Sequence, residues 1–175
     1  MNKRVLVVYA SKYGATAEIA EEIATNLRSV NLLVDLLPAD KVLDLSKYHG
    51  VVLGSAVYAG RWRKEAVQFL EQCEQKLSEI PVWIFSSGPT GEGDPVELLK
   101  GWRYPDALKS LMERIQPEDI MVFHGDLERE KLTFGEKLIV RGVKAPVGDF
   151  RDWETIADWA QSIVETMRDF TPETS

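Results

Sequence analysis

The 175 residues suit one domain and leave little room for two, and an apolar share of 45% supplies a sizeable core, which excludes global disorder. No apolar run approaches the roughly 20 residues that span a bilayer. The formal charge of −7 argues against a nucleic-acid partner, because polyanion binding needs a basic surplus, and the single cysteine, Cys73, excludes an intrachain disulfide and a cysteine-ligated metal cluster.

The chain opens with Met1-Asn2-Lys3-Arg4 and the apolar run Val5–Ala10. That run is short for a signal peptide and lacks a small-residue cleavage pattern. A first buried strand over Arg4–Tyr9 is therefore expected, in a cytoplasmic protein. A helical stripe follows through Thr16, Ala20, Ile23, Ala24 and Leu27. A second strand is expected at Leu32–Leu37, then an irregular connection, Pro38–Gly50, with room for a short helix. The third strand is expected at Val51–Gly54. Ala66, Phe69, Leu70, Cys73 and Leu77 form the second helical stripe, which makes Cys73 a core residue.

The fourth strand is expected at Val82–Ser86, a third stripe at Leu108, Leu111, Met112 and Ile115, and the fifth strand at Ile120–His124. Trp153, Ile156, Ala157, Ala160, Ile163, Val164 and Met167 mark the last helix. Four of the five strands are nearly continuous in apolar residues, as in parallel strands covered on both faces. The alternation implies βαβ units and an α/β, three-layer, doubly wound, five-stranded parallel sheet. One domain over residues 1–170 is expected, with a frayed tail at Thr171–Ser175.

Right-handed crossovers place every strand-to-helix loop at the carboxyl edge of such a sheet, where ligands bind at the point of reversed strand order. Three loops follow strands one, three and four. The first holds Ser11, Lys12, Tyr13, Gly14, Ala15 and Thr16. Its hydroxyls, glycine and helix start suit a phosphate, although Ser11 or Thr16 could equally cap an ordinary helix. It carries no Gly-x-Gly-x-x-Gly or Walker pattern. The second, Ser55, Ala56, Val57, Tyr58, Ala59, Gly60, Arg61 and Trp62, lets a flat ring approach the backbone. Tyr58 and Trp62 are available there for stacking, or for packing on neighbouring segments. The third, Ser87, Gly88, Pro89, Thr90, Gly91, Glu92, Gly93 and Asp94, suits the polar edge of a heterocycle or a plain solvent-exposed turn.

On these residues the chain resembles the flavodoxin-domain proteins over nearly its whole length. Ser11, Gly14 and Thr16 match the family's phosphate-loop pattern, and Tyr13 replaces its middle threonine. The sequence Gly-Ser-Ala-Val-Tyr-Ala-Gly at 54–60 and the Asp152-Trp153 helix start are similar to the branch containing the menaquinone-dependent protoporphyrinogen oxidases. The resemblance implies strand order 2-1-3-4-5 and non-covalent FMN. The site residues it implies are Ser11 to Thr16, Ser55 to Gly60 and Ser87 to Gly91. The function it implies is electron transfer with a redox partner protein or a quinone. The alternative is a flavin-dependent oxidoreductase on a small substrate, such as quinone-dependent protoporphyrinogen oxidation. The backbone at Ala59-Gly60 is expected to supply a carbonyl to the flavin N5. A phosphoryl-accepting receiver module would need acidic residues where this chain has Ala10-Ser11 and Gly54-Ser55.

Gly125–Arg151 is too long for a simple connection and is expected to be an insertion. At its centre Phe134, Leu138 and Val143 define an apolar side, and Lys137, Arg141 and Lys144 a basic one. The expectation divides between an arm packed on the sheet edge, at a homodimer contact, and peripheral membrane contact through 134–144. His49 is expected in a turn. His124 is expected to end the fifth strand away from the switch point, with Thr90 and Asp94 as candidates for a second substrate.

Overall fold

The computed structural model describes residues 3–170; the Thr171–Ser175 tail lies outside the described residues. In chain order the elements are β1 (Arg4–Ala10), α1 (Ala15–Arg28), β2 (Leu33–Pro38), β3 (Gly50–Tyr58), β4 (Arg61–Trp62), α2 (Lys64–Leu77) and β5 (Val82–Ser87). They continue as α3 (Pro95–Leu98), α4 (Lys109–Ile115), β6 (Asp119–Phe123), β7 (Asp126–Leu127), α5 (Phe134–Val143), β8 (Gly148–Asp149) and α6 (Trp153–Asp169). The main sheet runs β2-β1-β3-β5-β6 with every neighbouring pair parallel. Counted among themselves, the five parallel strands have the expected order 2-1-3-4-5.

Alternation along the central strands divides two cores. Leu6 and Val8 of β1, Val51 and Leu53 of β3 and Ile84 of β5 face α2 and α4. Val5, Val7, Val52, Trp83 and Phe85 face α1 and α6. A strand with two apolar faces has to be covered on both sides, because each buried side chain gains only by leaving water. The helical stripes supply the covers: Ile19, Ala20, Ile23 and Leu27 of α1 and Ile156, Ala160, Ile163 and Met167 of α6 are all fully buried. At the centre of the sheet a Cβ on Gly54 would lie 1.9 Å from the Phe85 ring. Glycine there is a demand of packing.

Expected stripe residues fall outside the core at three positions, one of them Ala157, which is only half-buried. Cys73 is half-buried and packs at the edge of its core. In α6 the core tryptophan is Trp159, whose Nε1 donates to Asp119 at 2.7 Å. Trp153 is 40% exposed and lies under the Arg151 guanidinium. Both positions have helical spacing from Ile156, but Trp153 sits in the first turn, where the ion-paired arginine covers it instead of the sheet. Pro38–Gly50 holds only a single 3-10 turn, Ala39–Lys41.

Candidate functional site

At the carboxyl edge of the sheet, β1 turns into α1 through Gly14, which is left-handed at the N-cap (φ 97°). Among the described residues no side chain caps α1, so its first-turn N–H groups keep the free donors that every helix start carries. The Ser11 hydroxyl accepts the Gly14 N–H at 3.0 Å, which holds the turn and leaves its own proton to donate. Thr16 is buried in the first turn of α1.

The segment expected as a second loop is mostly strand. β3 continues through Ser55, Ala56, Val57 and Tyr58, turns at Ala59-Gly60 and returns as β4. Both turn residues have positive φ, 48° and 71°, as a two-residue hairpin whose twist matches its strands requires. Ala59 accepts a strained conformation there, at a cost of about 1 kcal/mol. The hairpin lifts Tyr58 to the rim and carries Trp62 away from it. Trp62 is buried, with Nε1 donating to Ser86 Oγ at 2.9 Å, so it offers no stacking face. Ser55 also turns inward: its hydroxyl accepts the Arg63 N–H and donates to the Ala56 carbonyl, both at 3.0 Å.

Beyond β5, the Gly-rich loop is braced from the sixth strand. Gly88 N–H donates to Phe123 O at 3.3 Å and Gly125 N–H to Pro89 O at 2.9 Å. A Cβ on Gly88 would meet Val57 Cβ at 3.0 Å. His124 stands just past β6 and belongs to this brace. Nδ1 faces Pro89 O at 3.1 Å and Nε2 faces Gly93 O at 2.7 Å. Carbonyl oxygens only accept, so the ring makes both bonds at once only when both nitrogens carry protons.

These three segments bound one cavity of about 720 Å³. Lys12, Tyr13, Ala15 and Thr16 line it from the first, Ala56, Val57, Tyr58 and Ala59 from the second, and Ser87, Gly88, Pro89 and Thr90 from the third. Ser11, Gly14, Ser55, Gly60 and Gly91 do not line it. Tyr13 and Tyr58 meet edge to face with centroids 6.2 Å apart, and burial pushes the Tyr58 hydroxyl up to about 12, with Tyr13 adding to it.

The insertion roofs this cavity. β7 and β8 form a small antiparallel ribbon, and between them α5 contributes Ile139, Val140 and Val143 to the lining. Two polar fastenings hold it. Arg151 pairs with Glu18, Asp126 and Asp149 and donates to Ala15 O; these partners, Asp149 foremost, drive its pKa up. At the other end the Glu136 carboxylate accepts the Lys12 ammonium and the Tyr13 hydroxyl. Those bonds, the one from Lys12 the stronger, together with the Thr133 N–H, hold it down at about 2. Glu136 is among the site residues that sequence reasoning missed, with Arg63, Leu98 and Ile139. Its Thr-x-x-Glu setting forms an observed capping box with Thr133, a local pattern that says nothing of a partner 124 residues away.

A flavodoxin domain family matches residues 6–153. The quinone-dependent protoporphyrinogen IX dehydrogenase of Escherichia coli is 20% identical over 172 residues, covering 91% of this chain and 94% of that protein. Among solved structures, a flavodoxin from the domain Archaea aligns at a TM-score of 0.64 and 13% identity, over 94% of this chain and 99% of the other. A short-chain flavodoxin associated with a non-canonical PDU bacterial microcompartment aligns at 0.60 and 16%, over 94% and 98%.

Proposed function

The chain belongs to the flavodoxin domain family, and from that premise we propose that it binds FMN without a covalent bond and passes electrons between partners. The observation that carries this reading is the convergence of three separate segments on one cavity at the switch point of the sheet. The residues fit the group. An uncapped helix start with Thr16 and a lysine suits a phosphate, and Tyr58 with the glycine-bearing walls suits a flat ring.

In this reading Ser11 to Thr16 hold the phosphate. The Ser11 contribution is a hydroxyl proton and that of Gly14 its turn. Ser55 to Gly60 and Ser87 to Gly91 hold the ring, with Ser55, Gly60 and Gly91 acting through the backbone shape they fix. The flavin, when bound, supplies one- and two-electron chemistry. The chain's own part is to exclude water with Tyr58 and Val57, to aim backbone groups of the Ala59-Gly60 turn at the ring, and to brace the opposite wall through His124. The test is direct: purified protein is expected to be yellow, to release FMN on heating and to take it up again. Colourless protein that ignores added FMN sinks the reading.

A second reading is favoured by the roof. Ile139, Val140 and Val143 make an apolar ceiling that a pure electron carrier does not need, and it suits a small apolar substrate reacting with the flavin. Quinone-dependent oxidation of protoporphyrinogen is the leading case, and turnover of that pair by the flavin-loaded protein decides for it. Among the described residues no helix is long and apolar enough to cross a membrane. A cytoplasmic protein that meets a quinone-bearing membrane, or a second copy, through 134–144 fits both readings.

A further inference from the structure

Two side chains of the phosphate loop that face the cavity, the Lys12 ammonium and the Tyr13 hydroxyl, are both held by one carboxylate of the insertion, Glu136. The chain's own anion thus occupies the charge and the donor that the loop presents to an incoming anion. The carboxylate sits in the first turn of α5, at the third helical position, where it also accepts the Thr133 N–H at 3.0 Å. Other attachments of α5 are few. Among the described residues none in this helix is buried, and it is ten residues long, below the roughly 12 to 15 that hold a helix together alone in water.

The geometry points to Glu136 as an internal competitor of the cofactor's phosphate, so that loading the phosphate loop and unlatching α5 are one event. The inference rests on the FMN reading above. A phosphate carries more negative charge than a carboxylate and offers more acceptor oxygens. Seated at the start of α1, it has the helix dipole and the free N–H groups as well as Lys12 and Tyr13. Glu136 is then left beside a like charge with only its own helix cap. Repulsion lifts the first turn of α5 away from the loop, and Ile139, Val140 and Val143 leave the ceiling with it. The flavin ring is thereby uncovered to a partner only when a complete cofactor, phosphate included, is in place. Riboflavin has the ring without the phosphate and lacks the means to displace the latch.

Linkage makes the coupling reciprocal: whatever weakens the latch strengthens phosphate binding by the same factor. Glu136→Gln is the suitable variant, because glutamine keeps the reciprocal cap with Thr133 and removes only the charge. The experiment titrates FMN and riboflavin into wild type and E136Q by flavin fluorescence, and follows backbone hydrogen exchange of Phe134–Val143 with each ligand. E136Q is expected to bind FMN about tenfold more tightly and riboflavin no differently, and FMN but not riboflavin is expected to speed exchange in wild-type α5. Weaker or unchanged FMN affinity in E136Q overturns the competitor role, as does protection of α5 by FMN. If neither protein binds FMN, the cofactor reading falls and takes the latch with it; FMN binding that is indifferent to Glu136 removes the latch alone.

Discussion

Strands β1, β3 and β5 bury apolar side chains on both faces, whereas α5, across the cavity from their ends, leaves Phe134 80% and Val143 69% exposed. The body is held by shape and by water exclusion, which are shared among many neighbours. The insertion is held by a few directional bonds from Arg151 and Glu136. A defect in the first region therefore has to spread through the whole fold, and a defect in the second opens one segment and leaves the sheet intact.

The largest effect should come from Gly54→Ala. The added Cβ overlaps the Phe85 ring, which itself packs on Phe123 and Trp159, so no free volume is at hand. A loss of about 3 kcal/mol in urea unfolding is expected, at the upper end for overpacking. A loss below about 1 kcal/mol would mean that the aromatic cluster shifts readily and that the body is softer than its burial implies.

Arg151→Met should cost less and act locally. The arginine side chain is 6% exposed and its partner Asp126 is 12% exposed. Burial, with Asp149 close by, already raises the Asp126 carboxyl, and the variant strips it of its compensating charge. About 2 kcal/mol is expected, read as faster hydrogen exchange over Gly125–Phe150 with the β1 and β5 amides unmoved. Exchange that accelerates equally in the sheet would show that the insertion is part of the cooperative body and would erase the contrast.

This division also explains what was legible in the sequence. Val5-Leu6-Val7-Val8 and the stripe of α1 follow the periods of a strand and a helix because burial imposes them, and the layer order follows from their alternation. Trp153 and Trp159 both fit a helical period, and only the third dimension shows that Arg151 has already covered the first. The site was legible as segments rather than as side chains. Nothing local distinguishes Ser55, whose hydroxyl serves the Arg63 N–H, from a hydroxyl that faces a ligand. Nor does periodicity carry the Ala59-Gly60 hairpin, which a backbone twist selects. Glu136 was beyond reach for the opposite reason: its meaning lies in a contact with Lys12 and Tyr13, far away in sequence, and ion pairs leave no period.

Acid provides a finer probe of the latch. Glu136 lies well below its ordinary 4.5, at about 2, so its contribution is fully present above about 4.5. It fades only as pH falls toward 2, because protonation then occurs in the latched state as well. An NMR titration of the Glu136 carboxyl carbon should place its midpoint clearly below those of the exposed glutamates, and Lys12→Met should return it toward them. A midpoint near 4.5 in wild type would mean that the latch is open in solution.

The smallest effect on stability is expected from Lys137, Arg141 and Lys144 changed together to Glu. Arg141 stands in the last turn of α5 and Lys144 caps it in a left-handed conformation (φ 53°). The reversal therefore opposes the helix dipole, which is worth a few tenths of a kcal/mol at exposed positions. No ion pair of these three residues exists among the described residues, and the change in unfolding free energy should stay within about 0.5 kcal/mol. Binding to anionic vesicles is the informative readout, because each cation near such a surface contributes about 1 kcal/mol and three reversals remove attraction and add repulsion. Co-sedimentation that survives the triple variant would remove these three cations as the membrane contact, whereas its loss with the fold intact would show that this basic face binds a charged surface.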